Sequence, residues 1–134
     1  MEETIFTKII NKEIPASIIY EDNETLAFLD IEPFEKGHTL VIPKKQYLTI
    51  MDMPENEYLN LMKIVKKIAE HYEKQLNCGI NILQNNKSIS GQEVMHVHFH
   101  IIPRLEKKKL YCSKNGVKYL NGEIDNYINT LKLN

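Results

Sequence analysis

Three histidines, His96, His98 and His100, alternate with Val97, Phe99 and Ile101, and Ile102 follows. A repeat of two is the pattern of a half-buried strand, which sends the three imidazoles to one face and the apolar side chains to the other. A single histidine in such a place is commonly a satisfied core or surface group, whereas three in register line something polar. Neutral imidazole is a common metal ligand, but at about 3.3 Å of rise per residue His96 and His100 stand roughly 13 Å apart. At most two of the three can then share one ion directly. The other chemistry is phosphoryl transfer, in which an imidazole nitrogen attacks phosphorus while neighbouring imidazoles and amides hold the anionic oxygens. Gly91 and Gln92 suit it, because glycine admits close approach of a ligand to the backbone and the glutamine amide donates a hydrogen bond.

The elements that must position these residues are legible as patterns. Ile5, Phe6, Ile9 and Ile10 recur at helical spacing, which predicts a short amphipathic helix over 4–11. Strands are expected at 18–20, 25–29, 38–43 and 79–84, separated by turns at 21–24 and 31–37 and by a polar loop at 85–91. Short connections imply antiparallel neighbours. Between them, residues 52–76 carry one long helical stripe of Tyr58, Leu61, Met62, Val65, Ile68, Ala69, Tyr72 and Leu76, with Asp52 and Glu55 as a capping box. Lys63, Lys66, Lys67, Glu70 and Lys74 form its solvated face, and His71 falls beside them as a surface residue. Ile124, Tyr127, Ile128 and Leu131 predict a short terminal helix after Asn121-Gly122. The fold class expected is α+β, an antiparallel sheet of about five strands with the long helix packed on it.

A chain of 134 residues is the size of one domain and buries a core without staples. With 43% apolar and 26% charged residues and a net charge of -1, it presents no overall basic surface, so nucleic acid is not expected as a partner. No apolar run approaches a membrane span, and the residues around Glu2 and Glu3 lack the layout of a signal peptide, so a cytoplasmic location is the default expectation. Cys78 and Cys112 have no CxxC spacing and read as reduced thiols.

The run from His96 to Ile102 resembles, at every position, the hallmark of the histidine triad (HIT) proteins. Thr4-Ile5-Phe6, Lys8-Ile9-Ile10, Glu13-Ile14-Pro15-Ala16, Tyr20-Glu21-Asp22, Leu26-Ala27-Phe28, Asp30-Ile31 and the stretch from His38 to Lys45 are similar to that family too. The resemblance covers 4–104, within one domain of 1–134 whose last part, 105–134, matches no family pattern.

The resemblance implies that Ile14, Phe28 and Ile31 sandwich a purine, Asp30 accepts hydrogen bonds from the ribose, and His38 completes the polar wall. Asn85 and the turn of Gly91, Gln92 and Glu93 then donate to the phosphate. Alone, Ile14 and Phe28 read as core residues and Asp30 and Asn85 as turn formers. Lys87 and Ser88 are further phosphate contacts at most, and Lys107 to Lys109 read as a solvated loop. Some relatives carry serine or threonine where Glu93 stands, and a carboxylate there can orient an amine or merely present its backbone amide.

The activity implied is hydrolysis of a purine nucleoside phosphoramidate: His98 attacks the α-phosphate, a nucleotidyl-histidine forms, and water releases the monophosphate. His100, His96 and His38 assist. A dinucleoside polyphosphate hydrolase, a nucleotide-binding scaffold and a module holding metal on two triad histidines remain alternatives. No cofactor is expected. Many relatives bind structural zinc through cysteines where this chain has Thr4 and Thr7 and a histidine where it has Gln46, so no zinc is expected here. The family usually forms two-fold homodimers.

Overall fold

The computed structural model describes residues 1–107 and 116–133; Cys112, Lys108 and Lys109 lie outside them. Its sheet has five strands, β1 (Ile18–Glu21), β2 (Thr25–Leu29), β3 (Thr39–Pro43), β4 (Gly79–Gln84) and β5 (Phe99–Arg104), in the order β1-β2-β3-β5-β4 with every pair antiparallel. Three helices accompany it: α1 (Ile5–Ile10), α2 (Glu55–Leu76) and α3 (Glu123–Leu131). The α+β class, the five antiparallel strands and the long helix on the sheet are as the periodicities predict.

Both faces of the sheet are covered. Leu61, Val65, Ile68 and Tyr72 of α2 pack on Val41, Val97, Phe99 and Ile101. On the opposite face Phe6 and Ile9 of α1 pack on Leu26, Phe28, Leu40 and Ile42. The alternation around the histidines therefore separates two packed faces, where one dry and one wet face were expected. His96 is 0% and His98 5% exposed, because Phe6 stands edge-on to both rings, with centroids 5.8 and 5.1 Å away. The strand itself starts only at Phe99; residues 96–98 enter it as an extended lead-in, with Val97 N–H donating to Tyr47 O at 2.8 Å.

The long helix begins at Glu55 with Pro54 as its N-cap and no side-chain cap. The capping box expected from Asp52 and Glu55 is formed instead by Thr49 and Asp52, around a 3-10 turn at Ile50–Asp52. Pro54 explains the shift, since proline has no N–H to donate and its fixed φ suits the entry to a helix. His71 is exposed, as expected. The terminal helix lies at Glu123–Leu131, with Gly122 at φ +82° before it.

Gly37, at φ +91°, ends the loop between β2 and β3, and a Cβ there would come 2.9 Å from Pro103 Cγ. This close approach is open only to glycine and fixes the backbone entering His38. The Gly37 carbonyl accepts from Thr39 Oγ1–H at 2.8 Å, and Thr39 Oγ1 in turn accepts from the Tyr72 hydroxyl at 2.6 Å. One buried chain thus joins α2 to the turn before His38. Removing its last link, Tyr72→Phe, is expected to cost about 1 kcal/mol, read as a lower urea midpoint at unchanged slope.

Candidate active site

The proton positions on the four histidines follow from which partners can only donate or only accept. His98 Nδ1 lies 2.7 Å from the His96 carbonyl oxygen. A carbonyl only accepts, so Nδ1 carries the proton and Nε2 holds a free lone pair. His38 Nδ1 accepts from Phe34 N–H at 3.0 Å, which puts the His38 proton on Nε2. That proton is donated to His100 Nδ1 at 2.9 Å, leaving His100 with an N–H at Nε2. His96 Nε2 donates to Pro43 O at 2.7 Å, and its buried Nδ1 has no partner among the described residues.

A cavity of about 590 Å³ opens beside His98 and His100. Of the residues expected at a site, Ile14, Phe28, Asp30, Ile31 and His38 line it, as do Asn85, Gly91 and Glu93. Strand pairing explains the meeting: His100 lies opposite Leu40 on β3, two residues after His38, and opposite Leu83 on β4, two residues before Asn85. Asp30 N–H donates to His38 O at 2.9 Å, closing the loop between β2 and β3 over the same wall. Asp30 Oδ1 accepts from Glu32 N–H at 2.9 Å, while Oδ2 sits 3.7 Å from His38 Nε2.

Two expected residues stand elsewhere. Gln92 is 3% exposed and off the cavity. Its Oε1 accepts from Lys87 N–H at 2.6 Å, and its Nε2 donates to Leu48 O at 2.7 Å and Val94 O at 3.0 Å. Its amide is consumed in holding the loop between β4 and β5, so it has no donor to offer a ligand. His96 is likewise off the cavity, and what it supplies is the carbonyl that orients His98. Lys87 and Ser88 are exposed and do not line the cavity.

Conversely, Ile5, Phe6, Leu40 and Phe34 line it without having been singled out. For Ile5 and Phe6 the signal was the apolar stripe of α1, read as plain packing. Phe34 and Leu40 gave none, because their part depends on the β2–β3 pairing.

Burial lowers the proton affinity of all four imidazoles. For His100 burial, added to by His98 and His38, pushes the pKa down to about 4. For His38 burial outweighs the opposing charge of Asp30, and for His98 it outweighs the bond to His96 O and the charges of Asp30 and Glu93. All are therefore neutral at pH 7, as a nucleophilic imidazole requires.

Asp30, His38 and His100 bring three ligand-type atoms within 4.8 Å of one another. The hydrogen bonds leave this trio one lone pair short, because His38 Nε2 holds the proton that Phe34 N–H excludes from Nδ1. The family's structural zinc does not fit either. Thr4 Oγ1 accepts from Phe6 N–H and Thr7 N–H to cap α1, Thr7 Oγ1 accepts from Thr4 N–H, and Gln46 Nε2 donates to Glu2 O and Met95 O. Two hydroxyls and an amide are poor zinc donors beside thiolate and imidazole.

Fold and site together define a small α+β domain built around an unprotonated histidine nitrogen held at the wall of a cleft. The chain belongs to the HIT family: the HIT domain model matches residues 11–107. It is similar to an uncharacterized HIT-like protein of Methanocaldococcus jannaschii, 50% identical across 96% of this chain and 98% of that one. It is also similar to an adenosine 5'-monophosphoramidase of Saccharomyces cerevisiae, 42% identical across 78% of this chain and 64% of the relative. Among solved structures, a histidine triad nucleotide-binding protein from Candida albicans superposes with a TM-score of 0.83 at 32% identity, covering 97% of this chain and 95% of that one.

Two measurements check this site. Because the four rings bind protons less readily folded than unfolded, the unfolded chain takes up protons first as pH falls. Stability is then full above the ordinary imidazole value of about 6.5 and is lost as pH drops from there through about 4, where His100 titrates. The urea midpoint should be lower at pH 5 than at pH 7, and His100→Asn should narrow that gap. Elemental analysis of the purified chain should find far less than one zinc per chain; a full equivalent would overturn the reading of Thr4, Thr7 and Gln46.

Proposed function

We propose that this protein hydrolyses purine nucleoside 5'-phosphoramidates through a nucleotidyl-His98 intermediate. The observation that carries the proposal is His98 itself, with Nδ1–H fixed on the His96 carbonyl and Nε2 unprotonated beside a cavity of nucleotide size. The monophosphoramidase name of the yeast relative supports the same reaction class.

The cavity suits such a substrate from end to end. Ile14, Phe28 and Ile31 offer apolar contact for a purine, and Asp30 Oδ2 an acceptor for the ribose hydroxyls. The His100 Nε2–H and the Asn85 amide meet the phosphoryl oxygens, while the Gly91 N–H is held by Ser88 O. A Cβ at Gly91 would sit 3.5 Å from Asn85 Nδ2, so glycine keeps that amide open to a ligand.

His98 Nε2 forms a bond to phosphorus as the P–N bond breaks, and the electron pair leaves with the amine, which takes a proton from solvent. The His96 carbonyl stabilises the charge that develops on the imidazole ring. Water then attacks phosphorus and loses its proton, and His98 departs, releasing the nucleoside monophosphate. Neutral His100 stabilises the transferred group through its Nε2–H, His38 takes part by fixing that tautomer through its own N–H on His100 Nδ1, and His96 takes part through its carbonyl.

We place the chain as one domain in a cytoplasmic homodimer. Among the described residues no helix is long and apolar enough to cross a membrane. The outer edge of β4 carries no charged residue, and Leu59 of α2 and Ile82 of β4 are about half exposed. An unpaired, uncharged edge beside exposed apolar side chains is a pairing surface.

Intact-protein mass spectrometry after rapid acid-free quenching with an adenosine phosphoramidate should show a nucleotidyl adduct on the native chain and none on His98→Ala. The variant should lose at least about 10³-fold in kcat/KM while still binding nucleotide. Substantial turnover by His98→Ala would sink the assignment.

A further inference from the structure

Every charged residue on the cavity wall is acidic. Asp30, Glu32 and Glu93 line it, and among the described residues no lysine or arginine does. The imidazoles add no positive charge near neutral pH, since burial keeps them unprotonated. A site for a bare phosphate ester ordinarily offers cations to the anionic oxygens. This wall offers three carboxylates and no cation among the described residues.

The three are not equivalent. Asp30 and Glu32 belong to the loop after β2, with Asp30 bonded to the Glu32 N–H and close to His38. They stand at the ribose end. Glu93 comes from a different segment of the wall, the loop between β4 and β5 that also brings Gly91 and Asn85 to the cavity. It is exposed, and among the described residues its carboxylate makes no hydrogen bond or ion pair. Its charge reaches His98, the group that would meet phosphorus, as Asp30's does too, but Asp30 is already bonded to the Glu32 N–H and close to His38. With base and sugar occupying the apolar and Asp30 end, what remains beside Glu93 is the reacting phosphorus and the group that leaves it.

We infer that Glu93 selects leaving groups that carry a second positive charge, so that the preferred substrates are nucleoside phosphoramidates of diamines or polyamines. This rests on the phosphoramidate reading above. A distal ammonium on a flexible alkyl chain meets the unpaired carboxylate and offsets its repulsion of the phosphoryl oxygens. A polyphosphate leaving group would instead bring further negative charge to the same wall, which is a penalty in both ground and transition states. The reaction is unchanged: the P–N bond breaks, the diamine departs with the electron pair and a solvent proton, and water later frees His98.

The test uses the whole chain and two substrates, adenosine phosphoramidates of diaminobutane with its far nitrogen either free, and so an ammonium, or acetylated and neutral. The scissile bond and chain length are the same in both. The native protein should favour the charged substrate in kcat/KM by on the order of tenfold, the scale of one charge pair in a partly hydrated cleft. High salt should shrink that ratio. Glu93→Gln should bring it near one, and Glu93→Lys should invert it.

A native ratio near one, or a preference that survives Glu93→Gln, would overturn the inference while leaving phosphoramidate hydrolysis standing. If the native chain cleaves neither compound, the catalytic reading fails instead. Calorimetric binding of the same pair to the native chain and Glu93→Gln then still decides whether Glu93 reads the charge.

Discussion

The bond from His98 Nδ1–H to the carbonyl of His96 is the constraint on which the rest of the site depends. Neutral imidazole has one proton, and a carbonyl two residues upstream claims it, so Nε2 is the unprotonated nitrogen of the neutral ring. That bond forms only if the lead-in to β5 has a particular shape. The shape is held from outside, by His96 Nε2–H on Pro43 O and by Val97 N–H on Tyr47 O. His96 thus serves through its backbone oxygen, and its ring is a strut between the end of β3 and the start of β5.

The same logic of one-way partners runs along the second pair. Phe34 N–H fixes the tautomer of His38, His38 fixes that of His100, and His100 is left with a donor. Two neighbouring imidazoles, His98 at the lead-in and His100 on β5, therefore carry opposite roles, a lone pair on one and an N–H on the other, with no difference in residue type. Burial keeps both neutral, His98 under Phe6 and His100 with His98 and His38 beside it, so the distinction persists over the physiological pH range.

Precision in the remaining wall comes from the loop between β4 and β5. Gln92 satisfies three backbone groups at once and pins Lys87, which stands at φ +75°, a conformation uncommon outside glycine. Asn85, Gly91 and Glu93 are presented to the cleft by this buried amide, which itself never reaches the cleft. Loops that carry ligand contacts need such support, because few strand bonds hold them.

The sequence by itself determined the elements and the family to which they belong. Alternation and helical stripes fixed five strands and three helices to within a few residues, since hydrophobic period is a local property that survives packing. The run of three histidines pointed to imidazole chemistry, while Asp30, His38 and Asn85 became candidates only through the resemblance to the HIT family. Only the tertiary structure decided which of those residues face the cleft. His96 and Gln92 sit in the same short stretch as His98 and Glu93, yet they turn inward to bond backbone from Pro43, Leu48 and Lys87. Ile5 and Phe6 join the cleft from the far end of the chain. No local pattern encodes these outcomes, for they depend on which carbonyls and rings the β2–β3–β5–β4 pairing brings within reach.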